Sequence, residues 1–393
     1  MSSLFYLPAL GIINALGCGV EEVSQRLFLG DTSGMRLCDD LLPSALARVG
    51  VARGELPEIP LALSDFASRN NRLLLAALAQ IRSKVDEAIG CFGRERIGIV
   101  LGTSTSGIAE GEAAIAAQRT NGHLPDGFRY IQQELGSPAI FLARVLDIGG
   151  PAYCVSTACT SSAKAFVAAR RLLRCGLCDA VLVGGVDSLC KLTVNGFSAL
   201  ESISTDICNP MSRNRNGINI GEGAALFLMT HRESEIAFLG AGESSDAYHM
   251  SAPHPEGGGA EAAMRAALAD GGLFAGDIDY LNMHATATPK NDEMESRAIS
   301  RVFPAGIASS GTKPLTGHVL GTAGATELGL CWLALRGGFL PPHIWDGELD
   351  PELPQLDLVE SGQKFGRDSG RVCMSNSFAF GGNNACLLIG DAP

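Results

Sequence analysis

The chain carries the run Tyr153-Cys154-Val155-Ser156-Thr157-Ala158-Cys159, in which an apolar segment gives way to small residues. The stretch that follows, Ser161–Cys175, has the apolar spacing of a helix. A strand that passes through a tight turn into a helix is the repeating unit of α/β proteins. Unpaired N–H groups at the start of a helix favour a thiolate, so Cys159 is a candidate nucleophile. Taken alone, it is better explained as a buried structural thiol, but the small flanking residues and the strand-to-helix position favour a nucleophile.

Further strands and helices alternate along the rest of the chain. Helices are predicted over Ser68–Gly90 and Gly257–Gly271, where apolar residues recur with helical spacing. Short apolar runs with the length of buried strands lie at Ile97–Leu101, Ala180–Val183, Ala224–Met229, Tyr280–Met283 and Ala385–Ile389. Strands that alternate with helices predict an α/β fold whose sheets are covered on both faces.

The pattern of strand, turn and helix around Cys159 occurs a second time in the chain. Ala308–His318 leads into the apolar stretch Leu320–Leu335, as the segment before Cys159 leads into its helix. The likeness lies in the pattern and not in the letters, and it suggests two related halves. We place these halves at residues 1–232 and 233–393.

Composition limits the possible functions. Apolar residues make up 46% of the 393 residues, and the net charge is −12, with 30 Lys and Arg against 42 acids. A large core is therefore expected, and broad binding of nucleic acid is not. No apolar stretch is long enough to span a membrane, so we expect a cytoplasmic protein. The 12 Cys are scattered, which predicts reduced thiols and no metal site.

A second motif, Asn282-Met283-His284-Ala285-Thr286-Ala287-Thr288-Pro289, places a histidine at the end of a predicted strand. Active sites of α/β proteins lie at such strand ends. Asp292 and Glu295 follow three residues apart and share one helix face. A solvated first helical turn is the alternative explanation for these two acids.

Two more motifs complete the set. Gly311-Thr312-Lys313-Pro314-Leu315-Thr316-Gly317-His318 brings a lysine and a second histidine before an apolar helix that contains Glu327. Ser375–Asn384 pairs two phenylalanines with two glycines, which predicts a tight turn whose N–H groups face a cavity. A cysteine, two histidines and a lysine fit thioester chemistry. Two neutral imidazoles can donate hydrogen bonds to the enolate left when a malonyl thioester loses carbon dioxide.

Together, these four motifs resemble those of the β-ketoacyl-ACP synthase I/II family, within the thiolase-like superfamily, over nearly the whole chain. The resemblance implies a five-layered αβαβα fold with two halves of one topology. It also implies an acyltransferase that condenses malonyl-ACP, with loss of carbon dioxide, with an acyl group on Cys159. The product would be an elongated fatty-acid, polyene or polyketide chain. No cofactor is implied, because acyl carrier protein delivers both substrates on its phosphopantetheine arm.

The resemblance also implies roles for the catalytic residues. Cys159 matches the acyl-accepting nucleophile, and its N–H matches one donor of the oxyanion hole. His284 and His318 match the pair that supports decarboxylation and condensation, and Lys313 matches the lysine that tunes them. Phe380 matches the gatekeeper residue whose N–H supplies the second oxyanion-hole donor.

Supporting residues are implied in the same way. Glu327 matches an acid beside the lysine, and Asp292 and Glu295 match acids behind the first histidine. Thr286 and Thr288 match hydroxyls that hold the phosphopantetheine arm.

Three further residues are expected to contact the substrate or its carrier. Phe378 is assigned to substrate binding, and Arg69 and Arg72 match basic positions that meet carrier protein in relatives. Ordinary surface arginines are the alternative for this pair. A dimer is implied, either of identical chains or with a homologue resembling a chain-length factor.

The sequence departs from the family pattern at several positions. Ala285 and Ala379 stand where glycine is usual, and the extra methyl of Ala285 is expected to narrow the entry. The segment from Cys208 to Gly217 is shortened. These differences suggest a specialised polyketide or aryl-polyene type of ketosynthase.

Other readings remain open from the residues. A non-catalytic chain-length factor would lack the nucleophile that Cys159 supplies. A coenzyme A thiolase needs a second cysteine in a Cys-x-Gly turn, which neither Cys373 nor Cys386 provides. A type III synthase pairs its cysteine with His and Asn, whereas Thr316-Gly317-His318 favours two histidines.

Overall fold

The computed structural model describes residues 4–393. The strands of this part are β1 (Phe5–Asn14), β2 (Gly17–Cys18), β3 (Met35–Cys38), β4 (Ala47–Gly50), β5 (Ile97–Gly102), β6 (Ala152–Val155), β7 (Ala180–Asp187), β8 (Gly223–Thr230), β9 (Ile236–Ser245), β10 (Tyr280–Met283), β11 (Ala308–Gly311), β12 (Asp357–Leu358), β13 (Val372–Phe378) and β14 (Asn383–Asp391). The α-helices are α1 (Val20–Leu29), α2 (Arg69–Phe92), α3 (Ile108–Asn121), α4 (Ser137–Leu146), α5 (Ser161–Arg174), α6 (Lys191–Ala199), α7 (Gly258–Gly271), α8 (Pro289–Val302), α9 (Lys313–Thr316) and α10 (Ala323–Gly337).

The order of the strands repeats once within the main sheet. One half of the sheet runs β1-β8-β7-β5-β6, and the other runs β9-β14-β13-β10-β11 with β12 added at its edge. Equivalent pairs have the same sense: β5 with β7 and β10 with β13 are parallel, whereas β7 with β8 and β13 with β14 are antiparallel. A short antiparallel pairing of β1 with β9 joins the two halves. The topological repeat suggested by the sequence is therefore present.

Helices cover both faces of each half-sheet. In β7, Val181 and Val183 pack into the core that also contains α5 and α10, whereas Leu182 packs into a second core with α2 and α4. In β10, Tyr280 belongs to the first core and Leu281 to a third, which includes α7 and α8. Because side chains alternate across a strand, each half-sheet separates two helical layers. The result is the five-layered αβαβα arrangement, with α5 and α10 in the middle.

The middle layer is held together by small residues. A Cβ atom placed on Gly324 of α10 would lie 2.9 Å from the backbone N and the Cβ of Ala163 in α5, so only glycine allows this approach. The backbone N–H of Ala325 donates to the Ser162 hydroxyl of α5 at 2.9 Å. This contact fixes the first turn after Cys159 against the first turn after His318.

The predicted elements agree with the structure, which also contains elements that were not predicted, among them α1, α3, α4, α6, β9 and β13. All five apolar runs are strands, and α2, α5 and α7 lie within two residues of the predicted helices. The short helix α9, which was not predicted, lies between β11 and His318. The apolar N-terminus, residues 1–20, predicts a strand and a turn; residues 1–3 lie outside the described residues, and β1 and β2 occupy most of the remainder. The division at 232/233 falls between β8 and β9 and stays a prediction. Within residues 4–393 there is no helix with the length and apolar character needed to cross a membrane.

Candidate active site

Cys159 lies in the turn between β6 and α5, and its sulfur is reached only from a cavity. Ala158 adopts a left-handed conformation with φ of 53°, which turns the chain just before the cysteine. The turn is closed by the Ser161 hydroxyl, which donates to the Ala158 carbonyl and accepts the N–H of Thr157 at 2.9 Å. Cys159 is 6% exposed. The sequence therefore places the thiol at a rigid, buried strand-to-helix junction.

Two histidines from the other half of the chain meet this sulfur. His318 Nε2 lies 3.0 Å from Cys159 Sγ. The rings of His284 and His318 are 5.3 Å apart between centroids and nearly perpendicular. Both histidines are buried, and both line the same cavity as Cys159. The three side chains singled out by the sequence thus share one site.

The protonation states of these groups follow from their burial. Burial raises the pKa of the Cys159 thiol to about 12, although Lys313 and the N–H groups of Phe380 and Cys159 act in the opposite direction. Burial and the charge of Lys313 hold the pKa of both His284 and His318 well below the usual range. The free site therefore contains a thiol and two neutral imidazoles. The backbone N–H groups favour the thiolate, as the sequence indicates, but desolvation outweighs them.

Lys313, the first residue of α9, connects the first histidine to an acid. Its ammonium donates to Glu327 Oε1 at 2.5 Å, to the carbonyl oxygen of His284, and towards His284 Nδ1 at 3.4 Å. Burial raises the pKa of Glu327 to about 7, against the influence of Lys313. An ammonium donor facing Nδ1 makes that nitrogen an acceptor, which leaves the proton of His284 on Nε2.

The two acids of α8 are buried beneath the first histidine and are not a solvated turn. Glu295 accepts the backbone N–H groups of His284 and Ala285, each at 2.7 Å. Asp292 accepts the N–H of Met211 at 2.8 Å and that of Ala287 at 3.2 Å. Burial raises the pKa of both carboxyls, that of Glu295 to about 7. These contacts fix the backbone that carries His284.

The turn between β13 and β14 closes one side of the cavity. Phe378 lies with its ring centroid 6.0 Å from that of His284, and Phe380 packs against Phe197 of α6 at 5.3 Å. The backbone N–H groups of Phe380 and Cys159 both approach the Cys159 sulfur and lower its pKa. Two N–H groups near the reacting sulfur are compatible with the oxyanion-hole role expected of Cys159 and Phe380, which stays a prediction.

Thr286 and Thr288 line the cavity, which has a volume of about 320 Å³. Their hydroxyls are hydrogen-bonded to each other at 2.9 Å. Ala285 does not line the cavity. Its methyl group faces Gly311, where a Cβ atom would lie 2.5 Å away. The expected narrowing of the entry by Ala285 is therefore wrong, whereas Ala379 does line the cavity.

Arg69 and Arg72 occupy the first turn of α2, as expected, but both are engaged within the chain. Arg69 forms two hydrogen bonds with the carboxylate of buried Glu222, at 2.7 and 2.5 Å. Arg72 donates to the carbonyls of Leu56 and Pro57 and pairs with exposed Glu58 at 2.7 Å. The role of this pair in carrier binding stays a prediction, and Arg69 has a structural function that the sequence did not indicate.

Asp187, at the end of β7, was missed by the sequence analysis. Its buried carboxylate accepts six hydrogen bonds, from the Thr103 hydroxyl, the Ser104 N–H, and the N–H and hydroxyl groups of both Thr105 and Thr322. It thereby ties the loop after β5 to the start of α10, close to Cys159 and His318. An acid directly after the apolar run of β7 was the available signal.

The same catalytic atoms form the one group of potential metal ligands found within residues 4–393. One ligand atom each of Cys159, His284 and His318 lies within 4.8 Å of the others. The adjacent ammonium of Lys313 opposes a cation at this position, and the thiol is protonated. These groups suit a thioester better than a metal ion.

Comparison with known proteins places this geometry in a family. The family model described as "Beta-ketoacyl synthase, N-terminal domain" matches residues 65–234, and the model for the C-terminal domain matches residues 236–345. The chain is 32% identical to nodulation protein E of Rhizobium sp. (strain N33), over 98% of both chains. It is 30% identical to 3-oxoacyl-[acyl-carrier-protein] synthase 2 of Coxiella burnetii, over 98% of this chain and 97% of the relative.

Solved structures agree with these matches. A chain from the complex of the ketosynthase ApeO with its chain length factor ApeC, from Xenorhabdus doucetiae, has 47% identity and a TM-score of 0.96, covering 99% of this chain and 98% of its own. A chain of the ishigamide ketosynthase/chain length factor has 28% identity and a TM-score of 0.89, with complete coverage of both chains. The chain therefore belongs to the β-ketoacyl synthase family of acyltransferases.

Proposed function

We propose that this chain is a catalytically active ketosynthase that extends an acyl group on Cys159 by two carbons taken from malonyl-carrier protein. The observation that supports this most strongly is the contact of 3.0 Å between Cys159 Sγ and His318 Nε2, with His284 in the same cavity. A non-catalytic chain-length factor has no need of this arrangement. A thiolase needs a second acid/base cysteine, and none of the other cysteines lines the cavity.

The first half-reaction transfers an acyl group to the protein. The thioester of the acyl-carrier protein binds with its carbonyl oxygen at the N–H groups of Cys159 and Phe380. His318 accepts the thiol proton as the sulfur attacks, because a thiol with a raised pKa is deprotonated most easily during attack. The carrier thiol then leaves with a proton, and the acyl group stays on Cys159.

The second half-reaction forms the carbon–carbon bond. Malonyl-carrier protein binds with its thioester carbonyl near Nε2 of His284 and His318. Loss of carbon dioxide leaves an enolate, whose oxygen accepts N–H bonds from the two neutral imidazoles. The enolate carbon attacks the acyl group, the bond from the acyl carbon to Cys159 Sγ breaks, and the β-ketoacyl product remains on the carrier; the released thiolate takes up the one proton that the overall reaction consumes. The chain needs no cofactor of its own in this scheme.

The partners are proposed on the basis of the relatives. Two structural relatives are complexes or pairs of a ketosynthase and a chain length factor, so we propose such a homologue as the partner and a polyketide or polyene pathway as the setting. Native mass spectrometry of the protein, alone and with a co-expressed homologue, tests this. A mixed dimer is the expected result, and exclusive homodimers in both samples contradict it. A cytoplasmic location stays a prediction.

Carrier binding at α2 is best tested at Arg72. Arg72→Glu removes the pairing with exposed Glu58 and the hydrogen bonds to the carbonyls of Leu56 and Pro57, so folding of the variant is checked by circular dichroism before its kinetics are compared. We expect a higher KM for carrier-bound substrate and an unchanged KM for a small acyl thioester. Equal effects on both substrates contradict a carrier surface at this position. Arg69 is a poor target, since reversing its charge places two carboxylates together at buried Glu222.

The proposed reaction has a direct test. Purified protein is incubated with acyl-carrier protein, and the intact mass reports acylation of Cys159. Malonyl-carrier protein is then added, and carbon dioxide and the β-ketoacyl carrier are measured. Acylation without condensation contradicts the proposal, as does condensation that survives Cys159→Ala.

A further inference from the structure

A single basic side chain stands at the open end of the active-site cavity. Lys290 is the only Lys or Arg among the residues that line the cavity, and it is exposed. Within residues 4–393, the Lys290 side chain forms no ion pair and no hydrogen bond. Lys84 pairs with Glu87 and Lys313 with Glu327, whereas exposed Lys191 resembles Lys290 in having no side-chain partner among residues 4–393; the position of Lys290 at the cavity is what distinguishes it. The chain has a net charge of −12, so a cation at the mouth of the cavity gives this position a local charge opposite to that of the whole protein.

The segment that leads to Lys290 forms one wall of the cavity from base to mouth. His284 is 1% exposed and lies at the base with Cys159, Thr286 is 7% exposed, Thr288 is half-buried, and Lys290 is exposed. Ala285 and Ala287 are left-handed and α8 begins at Pro289, so the chain from His284 to Lys290 spans less than the reach of about 20 Å that an extended segment of this length would have. A flexible arm whose thioester lies at His284 and whose middle passes the two threonines therefore has its far end beside Lys290.

We propose that Lys290 binds the phosphate of the phosphopantetheine arm that delivers both substrates. This inference rests on the proposed function and adds a subsite to it. The phosphate is the one charged group of the arm, it lies at the end remote from the thioester, and an ammonium is a common phosphate ligand. Threonine hydroxyls along the wall suit the neutral amides of the arm, whereas they offer the phosphate no charge. Lys290 thus sets the depth to which the arm enters.

The test compares donors that differ only in the phosphate. Acylation of Cys159 is followed by intact mass with S-acyl-pantetheine, S-acyl-4′-phosphopantetheine and the acyl-carrier protein. The wild-type protein is expected to prefer the phosphorylated small donor. Lys290→Ala is expected to lower kcat/KM about two- to fivefold for both phosphate-bearing donors, through KM, and to leave S-acyl-pantetheine unchanged. Lys290→Glu is expected to have a larger effect of the same kind, and added salt reduces the difference.

Lys84→Ala is the matched control, since it removes the same charge from an exposed position away from the cavity. Three results overturn the inference: no preference of the wild type for the phosphorylated donor, an equal loss with all three donors, or a loss confined to the carrier-bound donor. The last would make Lys290 a contact for the carrier protein itself. If none of the donors acylates Cys159, the proposed function fails and this inference fails with it.

Discussion

At the level of single residues, burial decides the chemistry of this site. Cys159 is almost inaccessible, and its pKa is raised to about 12, so the resting protein holds a thiol beside two neutral histidines. A thiol in this state is protected from solution oxidants, which attack the thiolate. In the proposed reaction, it attacks when a bound thioester presents its carbonyl to the two N–H groups. Binding of the thioester and activation of the Cys159 thiol therefore occur in the same step.

Asp187 is expected to be the most important residue for stability outside the catalytic set. Asp187→Ala leaves buried N–H and hydroxyl groups of two segments, residues 103–105 and Thr322, without an acceptor, each at a cost of about 1–3 kcal/mol. We expect a loss of about 4 kcal/mol or more in the free energy of unfolding, measured with urea. Asp187→Asn retains one acceptor oxygen and should lose less. The control Asp126→Ala, at an exposed position, should change little, and similar losses in all three variants contradict this role.

At the level of elements, the pair Lys313–Glu327 joins α9 to α10. Both side chains are almost fully buried, so removing one partner leaves the other charge without compensation. Glu327→Gln is expected to lower the free energy of unfolding by about 3–5 kcal/mol at pH 8, where a carboxyl with a pKa of about 7 is ionised.

A double-mutant cycle provides the control for this pair. Adding Lys313→Met to Glu327→Gln removes the uncompensated ammonium, so the double variant should recover most of the loss. Urea unfolding of the four proteins measures the coupling. Strictly additive losses contradict a buried ion pair between these two elements.

The sequence predicts elements well where their signal is local. The run Tyr280–Met283 is a strand with the predicted bounds, because three apolar residues around Asn282 suit a sheet covered on both faces. Helix α2 begins where expected, since the Ser68 hydroxyl accepts the N–H of Asn71 and caps it. The catalytic set was also found, because its motifs resemble those of a family.

Features that depend on distant parts of the chain could not be predicted. The pairing of Arg69 with Glu222 spans 153 residues, and no local pattern connects them. The raised pKa of Cys159 depends on how deeply packing buries the turn, whereas the sequence shows only that a helix follows. The orientation of the Ala285 methyl group depends on a left-handed φ of 37°, which is unusual for alanine.

At the level of the whole molecule, the active site exists only when both halves are packed. The nucleophile comes from the first half-sheet and both histidines from the second, and the contact of α5 with α10 sets their separation. Repeated topology explains how this arises: each half presents its strand-to-helix junctions at the same place. A substitution that disturbs the middle layer, such as one at Gly324, is expected to reduce activity even where the structure of both half-sheets is unchanged.

Stability is expected to fall in mild acid because buried histidines must remain neutral. His343 accepts the N–H of Gly311 on Nδ1 and donates from Nε2 to the carbonyl of Pro210, each at 3.0 Å. Burial lowers its pKa to about 4. The unfolded chain therefore binds this proton first, and stability falls as the pH drops from about 6.5 to 4, by about 3 kcal/mol.

The contribution of His343 is isolated by difference. Between about pH 6.5 and 4, the free energy of unfolding of His343→Gln should fall by about 3 kcal/mol less than that of the wild type. Comparison with the wild type cancels the other buried groups, including Glu295, whose raised pKa acts with the opposite sign. Parallel pH profiles for the two proteins contradict a neutral buried His343.

The central claim is that Cys159, His284 and His318 form one site for decarboxylative condensation. Its most direct test is the rate of β-ketoacyl product formation by His318→Ala, with His123→Ala as a control at an exposed histidine. The account predicts a fall of about 10²–10³ or more for His318→Ala, because the enolate loses one of two donors, and no change for the control. Near-normal condensation by His318→Ala would contradict it.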